Sequence, residues 1–105
     1  MTSPEQDPAR GVFGITTAAE MVGMGVQNLR LYERRGLLEP DRTDGGTRRY
    51  SVEDLERLRA IGELLAAGLN LAGIAAVLEL RTANDQLRAE LAERPPRPPQ
   101  RRGAG

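Results

Sequence analysis

The residues of this 105-residue chain best suited to chemistry are Gln27, Asn28 and Arg30, followed by Arg42, Arg48 and Arg49. Gln and Asn side chains pair with adenine edges, and Arg pairs bidentately with guanine or grips phosphate. On a 3.6-residue period Val26, Leu29 and Tyr32 share one face of a short helix, while Gln27, Arg30, Leu31 and Arg34 line another. The first face is expected to pack. The second, with Asn28 beside it, carries the groups that would meet base edges in a major groove, or forms an ordinary solvated helix surface. Beyond Gly36, the stretch PDRTDGGT suits a hairpin loop, and Arg42, Arg48 and Arg49 flank it. Guanidinium groups there would lie beside phosphates next to the groove. The alternative is that Arg42 and Arg48 pair with Glu39, Asp41 or Asp44 on a solvated surface.

Composition narrows the classes of function. Histidine and cysteine are both absent, which removes the commonest general base, the commonest metal ligands and any disulfide. No catalytic residue, metal site or cofactor is therefore assigned. Formal net charge is zero, yet residues 26–50 hold six Arg against four acids, and residues 51–93 hold four Arg against eight. Four more Arg follow from Arg94 onward with no acid, so base gathers on the possible contact surfaces. Every basic residue is Arg, a choice that suits phosphate and guanine, although GC-rich codon usage would yield the same bias. The N-terminus has no apolar core of a signal peptide, and no run of about 18 apolar residues exists, so a cytoplasmic, nucleoid-associated protein without membrane contact is expected.

The elements that must position these residues are short. Residues 1–11 are polar and Pro-containing and read as a disordered lead-in. Ile15, Ala18, Ala19 and Val22 then fall at helical spacing, with Thr16 or Thr17 available as a cap. Gly23-Met24-Gly25 separates this helix from the second, making a helix-turn-helix. A two-stranded wing follows. Ser51 with Asp54 has capping-box spacing and opens a third helix through Leu55, Leu58, Ile61 and Leu65 to Gly68. Asn70 caps a fourth helix carrying Leu71, Ile74, Val77 and Leu78, and Thr82 with Asp85 suggests a second capping box and a fifth helix that Pro95-Pro96 must stop.

This order of parts resembles the MerR family of bacterial transcription regulators. ITTAAEMVGMGVQNLRLYERRGLLEPDRTDGGTRRYSVEDLERL looks like the family's DNA-binding domain, and LNLAGIAAVLEL like its following helix. LRxYExxGL, the GG-x-RRYS wing exit and NLAGI occur together in the family's order over residues 14–92, and VQNLRLYE and LNLAGIAAVLEL look closest to the heat-shock repressor, HspR-like, branch. Leu31 stands where many members carry a second tyrosine, and Ala75-Ala76 replaces more polar residues of that branch. The resemblance implies that Gln27, Asn28 and Arg30 face the major groove, that Tyr32 contacts or orders the backbone, and that Arg42 and Arg48 are wing-to-phosphate contacts, with Arg49 beside them. Thr16 would offer its hydroxyl and nearby amides to a phosphate, or serve as a plain cap. Tyr50 is expected to pack the wing against the third helix. The cysteines of the family's metal sensors and the aromatic cage of its drug sensors have no counterpart in these residues.

The expected fold is mainly α: a winged helix-turn-helix with a two-stranded wing, two further helices and a short C-terminal dimerisation helix. Residues 12–80 are assigned to the DNA-binding domain, 81–94 to the terminal helix and 95–105 to a disordered Pro/Arg tail. Leu80, Asn84, Leu87 and Leu91 fit d, a, d, a of a heptad seam, which predicts a weak homodimer unless these leucines pack on their own domain. The expected partners are double-stranded DNA, a second copy, and a chaperone or other protein co-regulator as input. The function implied is a repressor of stress or chaperone genes at inverted repeats. An architectural, excisionase-like factor and a protein-interaction module working through the Pro-Arg tail are the competing classes.

Overall fold

The structure, a computed structural model, describes residues 7–94. Four helices and one hairpin follow in the order α1 (Ile15–Val22), α2 (Val26–Arg34), β1 (Asp41–Arg42), β2 (Arg48–Arg49), α3 (Val52–Ala66) and α4 (Leu71–Glu93). The chain divides into two compact units, one ending at Ala75 and one beginning at Ala76. Among the described residues no helix is long and apolar enough to cross a membrane.

In the first unit α1 packs against α2 and α3. Ala18 and Ala19 are its buried residues, and their small side chains let neighbouring backbones come near. Gly23 ends α1 in the left-handed region at φ 69°. Its N–H donates to the carbonyl of Glu20 while that of Met24 donates to Ala19, the paired bonds of a Schellman motif. Gly36 (φ 75°) ends α2 in the same way, with Gly36 donating to Glu33 and Leu37 to Tyr32. These two turns set the entry and exit of α2, because a side chain at either position would resist the required backbone. Leu29, Leu37, Tyr50, Leu58, Ile61 and Ile74 are the largest fully buried side chains of the core. Each aliphatic one contributes about 1.5–3 kcal/mol by leaving water.

The hairpin pairs Asp41 with Arg49 and Arg42 with Arg48 in antiparallel register. A Thr43–Thr47 turn closes it, with Gly46 N donating to the Thr43 carbonyl at 2.8 Å and Thr47 N to Thr43 Oγ1 at 3.1 Å. Ser51 and Asp54 form the capping box expected at the start of α3, at 3.0 and 2.9 Å. Asn70 Oδ1 accepts from Gly73 N at 2.7 Å, as its reading as a cap requires.

Three local expectations are corrected. Neither Thr16 nor Thr17 caps α1: the N-cap is Gly14, without a side-chain bond, because the helix begins one residue before Thr16. The expected fourth and fifth helices are one helix, Leu71–Glu93. Thr82 Oγ1 donates back to the Leu78 carbonyl at 3.0 Å instead of opening a new helix, and no Gly or Pro after Gly73 interrupts the run. Of the expected disordered lead-in, residues 1–6 lie outside the described residues, as does the 95–105 tail, but residues 7–11 are held by the wing and α3. Pro8 O accepts from Glu53 N at 3.0 Å, Gly11 N donates to Asp41 Oδ2 at 2.8 Å, and Val12 and Phe13 both donate to Tyr50 O at 3.0 Å. Tyr50 N returns a bond to Phe13 O at 2.7 Å, so the segment before α1 adds an outer layer to the wing's base.

Gly11 is the tight point of that layer, since a Cβ there would sit 2.3 Å from the backbone oxygen of Arg49. Gly11→Val is expected to peel the segment from the wing and destabilise the fold by about 1–3 kcal/mol. Thermal unfolding reads this loss against Glu20→Gln, an exposed change on α1 that should leave the midpoint unmoved. Equal midpoints for the two variants would refute the packing role of residues 8–12.

Candidate nucleic-acid interface

The second helix divides as its periodicity predicts. Leu29 and Tyr32 are buried and Gln27, Asn28, Arg30 and Arg34 are exposed, while Val26, expected to pack, and Leu31, expected on the free face, are both partly buried. Amide and guanidinium groups therefore stand together on the solvent side near the N-terminal end of α2. Tyr32, only 5% exposed, has its ring on the inward face with Leu29.

Beside this face stands a carboxylate that sequence reasoning did not single out. Glu33 Oε2 accepts from Arg42 Nη2 at 2.7 Å, and Glu33 Oε1 accepts from Arg48 Nε. Arg42 Nη1 also donates to the Gly46 carbonyl at 3.0 Å, tying its guanidinium to the hairpin turn. One residue of α2 thus joins both strands of the wing. The side chains remain partly open, at 46% exposed for Arg42, 30% for Arg48 and 19% for Glu33. Of the acids expected to pair with these arginines, Glu39 and Asp44 make no ion pair among the described residues, and Asp41 serves Gly11 instead. The available signal was the excess of arginine around position 33; which carboxylate meets it is a matter of through-space geometry.

Burial alone would push the Glu33 carboxyl up. Hydrogen bonds and the positive charge of Arg48 and then Arg42 outweigh it, and the net displacement is below the ordinary carboxylate value. The Glu33 hydrogen bond raises Arg48 in turn. Tyr50 is wholly buried, its hydroxyl has no hydrogen-bond partner among the described residues, and burial followed by the Glu33 charge pushes its ionisation up. Its expected role as a packing residue of the wing agrees with that burial.

Arg49 lies close to the start of α1. Arg49 is half-buried and makes no ion pair among the described residues, and its Nη1 lies 3.3 Å from where a Cβ on Gly14 would be. Gly14 is the N-cap of α1, so that guanidinium sits at the end of the helix on which Thr16 is exposed.

In the second unit, Leu80, Leu87 and Leu91 are 70%, 58% and 65% exposed. Asn84 is exposed with them, and an open groove of about 430 Å³ runs past Val77, Leu80, Arg81, Asn84, Asp85 and Arg88.

An exposed polar face on the second helix of a helix-turn-helix, with an arginine hairpin fastened to it, defines a winged helix-turn-helix DNA-binding protein. Residues 13–80 match the model of the MerR HTH family of regulatory proteins, and the chain belongs to that family. It is 46% identical over 83 residues to a putative heat shock protein HspR of Streptomyces coelicolor, covering 78% of this chain and 55% of that protein. It is also 36% identical over 70 residues to the HTH-type transcriptional regulator GlnR of Bacillus anthracis, covering 67% and 54%. The chain spans about half the length of these curated relatives. Among solved structures it resembles HiNmlR, a MerR family regulator lacking the sensor domain and bound to promoter DNA, with TM-score 0.64, 29% identity and coverage of 76% of this chain and 62% of that one. The N-terminal part of MtaN, a multidrug transporter activator of Bacillus subtilis, matches at TM-score 0.61 and 28% identity, over 78% and 92%. The chain thus carries the helix-turn-helix of this regulatory family, and GlnR is named as a transcriptional regulator.

The depressed Glu33 ionisation fixes the sign of a pH effect. A carboxyl whose folded value lies below its unfolded one stabilises the fold at pH above the unfolded value, and that stabilisation is lost as pH falls through the folded one. The midpoint difference between the parent chain and Glu33→Gln should be constant from neutrality down to the ordinary carboxylate value of 4.5 and shrink below it. Thermal melts at stepped pH read this directly, and a difference that grows in acid would contradict the ion-pair assignment.

Proposed function

We propose that the chain is a sequence-specific repressor of stress or chaperone genes that binds inverted repeats as a weak homodimer. The observation that carries this reading is the exposed Gln27, Asn28 and Arg30 face of α2, set beside a wing that is fastened to the same helix. Gln27 and Asn28 suit adenine edges and Arg30 suits guanine. Arg42, Arg48 and Arg49 hold flanking phosphates, with Thr16 at the head of α1, while Tyr32 orders α2 from within. The likeness to a putative heat shock protein HspR supports the choice of target genes.

Residues 12–80 act as the DNA-binding domain, and 81–94 supply the dimer contact. Three leucines left exposed on α4 with Asn84 among them support that assignment, since a polar residue within an apolar seam sets register. Two copies related by a two-fold axis would present two α2 helices to the half-sites of an inverted repeat. The input to the regulator is a chaperone or another protein partner, or the chain's own concentration. It works in the cytoplasm on nucleoid DNA.

Sequencing the DNA fragments that the purified chain retains from a genomic pool tests the reading, with inverted repeats upstream of stress genes as the expected yield. On the site so found, Arg30→Ala should cost about 1–3 kcal/mol and relax the sequence preference, while Arg48→Ala should weaken all duplexes alike. Equal, non-selective losses for both would reverse the assigned roles. Sedimentation over a concentration series should show a mass rising toward twice the monomer, and Leu87→Glu should hold it at the monomer value; a mass independent of concentration in the parent chain would remove the dimer.

A further inference from the structure

A guanidinium carries five N–H donors, so Arg42 and Arg48 together carry ten. Three are engaged among the described residues: Arg48 Nε and Arg42 Nη2 on Glu33, and Arg42 Nη1 on the Gly46 carbonyl. Both arginines are thus held in one geometry with most donors still directed elsewhere. Glu33 itself is mainly covered, at 19% exposed, whereas Arg42 is 46% exposed. The carboxylate also changes the charge of the cluster, bringing two positive groups down to a net of one.

These two effects act on different kinds of binding. Attraction to arbitrary DNA follows the number of phosphates neutralised and tolerates mobile side chains. Binding to a preferred site places phosphates at fixed positions relative to the helix in the groove, so it gains from arginines already fixed there. We propose that Glu33 is a specificity-determining residue, which fixes the two wing arginines relative to α2 and at the same time lowers the charge available for sequence-independent attraction. The inference rests on the reading of Arg42 and Arg48 as phosphate contacts. Arg30, three residues earlier on the same helix, lies one turn from Glu33, so the base-reading face and the clamped wing share a single rigid element.

Competition titrations on the full chain test this, using the retained duplex from the fragment selection and a random-sequence duplex over a range of salt. Glu33→Gln keeps the shape and one acceptor oxygen. It should tighten binding to random duplex, steepen its salt slope by about 1, and leave binding to the selected duplex no tighter, so that their ratio falls about tenfold. Glu39→Gln removes the same charge from an exposed acid that pairs with neither arginine, and should leave the ratio unchanged. Glu33→Asp keeps the charge but draws the carboxylate back from both guanidinium groups, and should lower the ratio through weaker binding to the selected duplex alone, which covers the case of a poorly folded glutamine variant. Parallel shifts on both duplexes for Glu33→Gln, in either direction, or an unchanged ratio, would overturn the inference. Arg42→Gln/Arg48→Gln separates the two levels. If it weakens binding while Glu33→Gln spares the ratio, the inference alone fails; if it leaves affinity intact, the phosphate reading fails and takes the inference with it.

Discussion

A single carboxylate, on Glu33, fastens the wing to the second helix. The hairpin has only two residues in each strand, and so short a ribbon has little stability of its own in water. Its two arginines would separate and sample many rotamers if nothing held them. Glu33 takes one N–H from each, so two hydrogen bonds fix the ribbon's orientation against α2, and a third, from Arg42 to the Gly46 carbonyl, ties that guanidinium to the ribbon's own turn. Hydrogen bonds between ionised partners are stronger than neutral ones, and partial cover at Glu33 reduces their screening. The position of the wing in this fold therefore depends on electrostatics across its face more than on its own ladder.

The remaining supports converge on the same ribbon from below and behind. Tyr50 fills the core directly after β2, and its backbone exchanges hydrogen bonds with Phe13. Gly11 passes so close to the strand at Arg49 that only a hydrogen fits, and its N–H is taken up by Asp41. Glu53, at the first turn of α3, donates to Pro8, which gives one of the unpaired amides of a helix start a partner. Chain segments on both sides of the helix-turn-helix thus brace a hairpin that bears three of the candidate contacts. The turns that aim α2 are governed separately, by glycines with left-handed backbone at positions 23 and 36.

Much of the scaffold is legible because its causes are local. The apolar spacing of Val26, Leu29 and Tyr32, the Ser51–Asp54 box, the Asn70 cap and the glycine turns all act within a few residues, and the structure forms each as those residues dictate. Local signals misled where two were available at once. Thr82 with Asp85 has the spacing of a cap, but a threonine inside a helix can satisfy itself on the carbonyl four residues back, and α4 runs on through it. Thr16 and Thr17 likewise resemble caps beside a glycine that takes the position without a side chain.

Order along the chain is enough to specify the parts and the chemistry each carries: a polar face on the second helix, an arginine hairpin after it, and no histidine or cysteine for catalysis or metal binding. Periodicity and turn chemistry are properties of neighbouring residues, so they can be read without coordinates. Which acid meets the wing arginines was settled by folding in three dimensions, since Glu33 and Arg48 are fifteen residues apart and several nearer carboxylates offered the same charge. Folding also turned residues 8–11 from a polar lead-in into a brace, through bonds such as Gly11 to Asp41 across thirty residues. Hydrogen bonds of that span form only after the core has brought distant backbone together, and no periodicity in the sequence records them.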